Sequence, residues 1–202
     1  MMNNALLIFL KNLIHSQVKT RLAATLGNEA AINIYKKLLK HTHTISKNID
    51  ADKIVFYSDF IEEDIWNNKL FKKEIQKGND LGKRMENAFI NAFESEYKKT
   101  IIIGTDCLEI NKVILESAFS ALDNFDIVIG PASDGGYYLL GMKKLHSFFF
   151  KNVKWSTDTV LNDTIALCNQ HQLGYFLLPE LSDIDEEKDL INLKNQFGLK
   201  DQ

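Results

Sequence analysis

Cysteine is scarce: Cys107 and Cys168 are the two in 202 residues, and no Cys-x-x-Cys pair is present. A disulfide framework is excluded, and a reducing cytoplasm is the expected location. Proline is equally sparse, at Pro131 and Pro179. No stretch approaches the ~20 apolar residues of a membrane span. The start, Met1-Met2-Asn3-Asn4 before the apolar run Ala5 to Leu10, lacks the cationic opening of a signal peptide. An excess of charge of one sign is also missing. Lys plus Arg total 24 against 27 Asp plus Glu, a formal charge of −3, so a large duplex-binding face is excluded and any anion site must be local. Repeats, low-complexity stretches and long charge runs are absent. What remains is 45% hydrophobic and 25% charged residues, ordinary globular values, and the length predicts a single domain over 1–202.

The periodicities alternate along the chain. Ala5-Leu-Leu-Ile-Phe-Leu10 is a short apolar run that suits a strand buried on both faces. Asn28 is a plausible N-cap, after which Ala31, Tyr35, Leu38, Leu39 and Thr42 recur at helical spacing. Lys53 to Tyr57 reads as a second strand, acidic Glu62 to Asn68 as a short helix, and Phe71 to Ile75 as an edge strand. Leu81, Met85, Ala88, Phe89, Ala92 and Phe93 mark another helical face. Thr100 to Gly104 is a strand, Asn111 caps a helix through Leu122, and Asp126 to Gly130 and Tyr137 to Gly141 are further strands. Ser156 or Thr157 caps a helix toward His171, Gly174 to Leu178 is a last strand, and Glu186 to Phe197 a closing helix. Strand followed by helix, repeated, predicts an α/β fold: a three-layer α/β/α, Rossmann-like, mostly parallel sheet.

In such a sheet ligands bind beyond the carboxyl ends of the strands. Beyond the first strand lie Lys11, then Lys19 and Arg21, in a long loop leading to a helix. This loop has neither the P-loop pattern nor Gly-x-Gly-x-x-Gly. Its cations suit a diphosphate, but the loop taken alone is better read as a solvated basic loop. Asp106 follows an apolar strand and a glycine, placing a carboxylate where Mg²⁺ or Mn²⁺ would be shared with phosphates, or where a turn needs an acceptor. Cys107 beside it suits buried packing better than nucleophilic chemistry. Asp134-Gly135-Gly136 puts an acid in a turn whose glycines let backbone approach a ligand, and a plain hairpin also explains it. Asp183 and Asp185 either complete a metal site or favour a helix start. His41 and His43, two apart, do not face each other on a helix.

The ordered set Lys19-Thr20-Arg21-Leu22, Asp80-Leu81-Gly82-Lys83-Arg84-Met85, Gly104-Thr105-Asp106-Cys107, Gly130-Pro131-Ala132-Ser133-Asp134-Gly135-Gly136-Tyr137-Tyr138, Trp155-Ser156-Thr157 and Asp183-Ile184-Asp185 resembles a bacterial glycosyltransferase-like family. That family is labelled arsenosugar biosynthesis glycosyltransferase, or radical-SAM/selenodomain-associated transferase. It is similar to A-type nucleotide-diphosphosugar transferases and to the guanylyltransferase that activates phospholactate. The resemblance implies a metal-dependent transferase with a nucleotide-sugar or NTP donor and a small-molecule acceptor. It implies phosphate contacts at Lys11, Lys19 and Arg21, a metal on Asp106 and Asp185, and acceptor chemistry at Asp134. Substrate contacts would fall at Gly135, Gly136 and Trp155. The chain departs from the family at Leu13-Ile14-His15-Ser16, where a Pro-Val-Pro-Gly stretch is usual, at Leu108, and at Glu186-Glu187.

Overall fold

The computed structural model describes residues 3–13 and 18–190. The first strand, β1 (Asn4–Leu10), forms where six apolar residues follow one another, and the pleat sends them alternately to two cores. Leu6, Ile8 and Leu10 join one buried cluster, while Ala5, Leu7 and Phe9 join the other. A strand with apolar side chains on both faces needs a cover on each side. α1 (Thr20–Leu26), α2 (Asn28–Ser46) and α4 (Lys112–Asn124) contribute to the first cluster; α3 (Leu81–Glu94) and α5 (Val160–Gln170) contribute to the second.

Between these layers runs a seven-stranded sheet that also contains β2 (Asp52–Tyr57), β3 (Phe71–Ile75), β4 (Lys99–Ile103), β5 (Ile127–Pro131), β6 (Tyr137–Met142) and β7 (Tyr175–Leu177), in the order β3-β2-β1-β4-β6-β5-β7. The α/β, mostly parallel sheet expected from the alternation is present. β6 alone is antiparallel, pairing Ile103 with Leu139 on one side and Pro131 with Tyr137 on the other. Its reversed sense places its first residue, Tyr137, at the same edge as the carboxyl ends of the parallel strands.

Local chemistry set several boundaries, the expected cap at Asn111 among them. The Asp80 carboxylate accepts from the Lys83 amide to cap α3, and the Asn111 side chain accepts from the Ile114 amide to cap α4. Other expectations are corrected. The segment Glu62 to Asn68 is not helical: the Asp64 carboxylate takes the Trp66 amide, the Tyr57 hydroxyl and the Lys73 ammonium, and this wins over helix formation. Trp66 is thereby fully buried against His43 and Phe71. Gly27, with φ 84°, takes the cap position of α2 in place of Asn28, and Thr159, without a side-chain cap bond, precedes α5 in place of Ser156 or Thr157. The stretch 20–26, read as loop, is helical. The expected closing helix is helical over 187–190; its remainder, 191–197, lies outside the described residues, as do Ile14, His15 and Ser16 of the departing loop. Among the described residues no helix is long and apolar enough to cross a membrane.

Candidate active site

At the carboxyl edge of the parallel strands lies a cavity of about 560 Å³. Its lining contains Lys11, Lys19, Arg21, Asp106, Asp134, Gly136, Trp155 and Asp185, eight of the nine residues to which the resemblance assigns a role. Gly135 is not among the lining residues. Its φ is 87°, its carbonyl accepts from the Leu161 amide, and a Cβ there would overlap the Asp158 carbonyl. Gly135 therefore lets the β5–β6 turn lie against the start of α5, so its part is in packing.

Lys19 caps α1 in the left-handed conformation, φ 50°, which turns its side chain inward. The ammonium is buried, 2.9 Å from Asp106 Oδ1 and 3.7 Å from Asp185 Oδ1, and it donates to the Ile184 carbonyl. The Ile184 amide donates in turn to the Asp106 carbonyl, at 2.9 Å. Thus the loop after β7 is tied to the end of β4 by backbone and to the start of α1 by charge. Arg21 stays largely exposed, with Nη1 3.2 Å from Asp185 Oδ2 and 3.6 Å from Glu186 Oε1. Lys11 is exposed, but its backbone is fixed: the Tyr35 hydroxyl donates to the Lys11 carbonyl and accepts from the Lys11 amide, both at 2.9 Å. Burial pushes the Tyr35 phenol well above its usual range, so it holds the loop as a neutral group.

Asp134 is a turn residue and a cavity residue at once. Its Oδ1 accepts from the Gly136 amide at 2.9 Å, while Ala132 and Gly136 close the hairpin with a 3.1 Å bond. Trp155 leans on α3 at Gly82, where any Cβ would overlap the indole, and meets the Tyr137 ring edge-on with centroids 6.5 Å apart. Cys107 is buried, and burial pushes its thiol up to about 12, which leaves no thiolate for nucleophilic attack.

Asp183 is the cavity residue that sequence reading underrated. Burial, then the negative charge of Asp106, raises its carboxyl to about 7, with the Lys19 ammonium opposing and Asp134 and Asp185 adding to the rise. The signal was its place in an Asp-Ile-Asp run after the last strand, which helix capping explains as well. Because the folded-state value lies above the unfolded one, the protonated form is favoured by folding. This contribution is complete below about pH 4 and is lost as pH rises through about 7. Asp183→Asn is expected to raise the melting temperature of the metal-free protein at pH 8 and to leave it nearly unchanged at pH 4.5. Equal shifts at both pH values would show that Asp183 is not under this strain.

Among solved structures the chain is similar to a protein described as a nucleotide-diphospho-sugar transferase from Desulfovibrio desulfuricans G20. The two are 28% identical with a TM-score of 0.90, over 97% of this chain and 88% of the other. It shares its fold with the inositol-1-phosphate CTP transferase of T. maritima, at 14% identity and a TM-score of 0.54 over 93% and 91% of the two chains. A curated relative, the 2-phospho-L-lactate guanylyltransferase of Methanocaldococcus jannaschii, is 34% identical over 130 residues, 63% of this chain. The chain spans only 55% of that relative's length. The family described as an uncharacterized protein conserved in bacteria, DUF2064, matches residues 41–157, more than half of the sequence, and the chain belongs to it.

Proposed function

We propose that the protein is a metal-dependent transferase that uses a nucleotide-activated donor, with a nucleotide-diphosphosugar as the donor and glycosyl transfer as the reaction. The observation that carries this reading is the contact of Lys19 with Asp106, 2.9 Å apart at the floor of a cavity beyond the carboxyl ends of β1 and β4. Lys19 and Arg21 would neutralise the diphosphate, and a loop this tightly tied to β4 costs little to order on binding. The ordered motifs support placing the chain with the arsenosugar-type glycosyltransferases, and the 28% identical relative supports the sugar-nucleotide donor.

The donor set suits a divalent ion. Among the described residues no three His, Cys, Asp or Glu side chains form a ready-made cage. Magnesium, however, commonly takes one or two carboxylates and fills the rest of its shell with water and substrate phosphates. The cavity holds three cations against Asp106, Asp134, Asp158, Asp183 and Asp185, a formal −2 when all are ionised, and a polyphosphate entering it needs an added positive charge. Asp106 and Asp183 would hold Mg²⁺ or Mn²⁺. Asp185, the ligand that the resemblance implies, lines the same cavity and stays a further candidate: its carboxylate meets Lys19 and Arg21, as that of Asp106 meets Lys19. When bound, the ion would offset charge developing on the leaving phosphate.

Transfer breaks the bond between the sugar carbon and the diphosphate oxygen and joins that carbon to the acceptor oxygen. The nucleoside diphosphate leaves with the bonding pair, and the acceptor proton passes to Asp134. Asp134→Asn is expected to lower kcat about 100-fold or more with little change in KM for the donor, a split that marks loss of proton transfer. A raised KM at unchanged kcat would make Asp134 a binding residue instead.

A second reading, nucleotidyl transfer from an NTP with release of pyrophosphate, is favoured by the 34% identical guanylyltransferase. A thermal-shift panel of UDP-, GDP-, CDP- and dTDP-sugars and NTPs, with and without Mn²⁺, tests both. A ligand at ~100 times its Kd adds about 2.7 kcal/mol, roughly 5–11 °C for a domain of this size. Product analysis then decides: a nucleoside diphosphate supports glycosyl transfer, pyrophosphate supports nucleotidyl transfer, and a flat panel removes both.

A further inference from the structure

The cavity has two unlike halves. Its cations, Lys11, Lys19 and Arg21, stand just past β1 and at the start of α1, and the described lining residues that follow Arg21 include no Lys, Arg or His. The opposite wall is apolar and aromatic: Phe9, Leu81, Met85, Tyr137, Leu140 and Trp155. All but Leu81 belong to, or pack against, the core cluster shared with α3 and α5. Two features build this wall. Gly82 admits the Trp155 indole against α3, and the antiparallel sense of β6 brings Tyr137 to the strand-end edge, edge-on to that indole. The Asp80-to-Met85 motif, which phosphate binding leaves without a part, supplies Leu81, Gly82 and Met85 to it. Above the wall stand Asp134 and Asp158, neither of which has a described cationic partner within 4.0 Å.

We infer that this half binds the acceptor, and that the acceptor is an uncharged, hydroxyl-bearing molecule with an apolar ring face. The inference rests on the transferase reading above and names its second substrate class. An indole face packs against the C–H surface of a ring, and the carboxylates accept hydrogen bonds from hydroxyl groups. A phosphorylated acid would meet two carboxylates here and no cation, since Lys11, Lys19 and Arg21 all stand in the donor half and Lys19 and Arg21 are already paired with Asp106 and Asp185.

Ligand-observed NMR on the whole protein, with Mg²⁺ and either UDP or GDP, tests this. The probes are phenyl glycosides and cyclic polyols on one side, and phosphoglycolate and other phosphorylated hydroxy acids on the other. Binding is expected from the uncharged set, weakened at least tenfold in Trp155→Ala and in Leu81→Glu. Leu81 is 44% exposed, so its replacement keeps the fold even if loss of the indole disturbs α3. Preference for the phosphorylated set, absence of binding by either set, or binding unaffected by both replacements would each overturn the assignment. UDP and GDP binding, read in the same samples and weakened at least tenfold by Lys19→Met, separates the failures. If the nucleotide binds but the uncharged probes do not, only the acceptor class falls; if no nucleotide binds, the donor reading falls with it.

Discussion

Replacing Asp106 with asparagine is expected to lower turnover at saturating donor and Mg²⁺ by about 100-fold or more, comparable with removing a group that stabilises developing charge. The substitution keeps the side chain's size and its place after β4, so the fold should stay intact. It removes the negative charge that would hold the metal and that now meets the Lys19 ammonium at 2.9 Å. Two changes are expected together: lost turnover and a loss of the extra melting-temperature shift that Mn²⁺ gives in the presence of nucleotide. Full metal-dependent turnover in Asp106→Asn would remove the residue from the chemistry. Lost turnover with the Mn²⁺ shift unchanged would move the metal to other carboxylates of the cavity.

Lys19→Met has the second-largest expected effect, because one ammonium serves both the resting site and the donor. Breaking a fully buried ion pair costs about 3–5 kcal/mol. Asp106 is 43% exposed, however, so solvent screening brings the expected loss of stability to about 1–2 kcal/mol. Donor affinity should fall further, by roughly 10- to 150-fold, since a hydrogen bond to a charged group contributes about 1.5–3 kcal/mol. The same replacement leaves Asp106, Asp183 and Asp185 without their buried cation. Mg²⁺ alone should therefore stabilise Lys19→Met more than it stabilises the unmodified protein, and urea denaturation with and without the ion measures this difference. An equal or smaller gain would mean that the acids do not gather to receive a cation.

The two predictions depend on contacts that sequence patterns do not encode. Lys19 and Ile184 are 165 residues apart, and nothing local to either segment states that the ammonium reaches that carbonyl. Residue types at strand ends were nevertheless readable. A buried strand shows as an apolar run, and the first polar residues after it, Lys11, Thr105-Asp106 and Ser133-Asp134, must sit at the sheet edge. The left-handed backbone at Lys19 carried no such signal, because no glycine or asparagine announced it. Gly135 misled in the other direction: a glycine beside an acid suggests room for a ligand, but its space is filled by the Asp158 backbone. The acidic stretch around Asp64 has helix-compatible composition, yet Asp64 satisfies three donors and the stretch follows Trp66 into the core instead.

The alternation of apolar runs with helical faces, the caps at Asp80 and Asn111 and the gathering of charged residues after strands were determined by the sequence alone. Each depends on side-chain period or on hydrogen bonds spanning three residues or fewer. The reversal of β6, the burial of Lys19 against Asp106 and Asp185 and the seating of Trp155 on Gly82 were decided only by the tertiary structure. These arise when segments far apart in the chain compete for the same edge of the sheet, and the outcome depends on which pairing buries the most apolar surface while leaving each buried charge a partner.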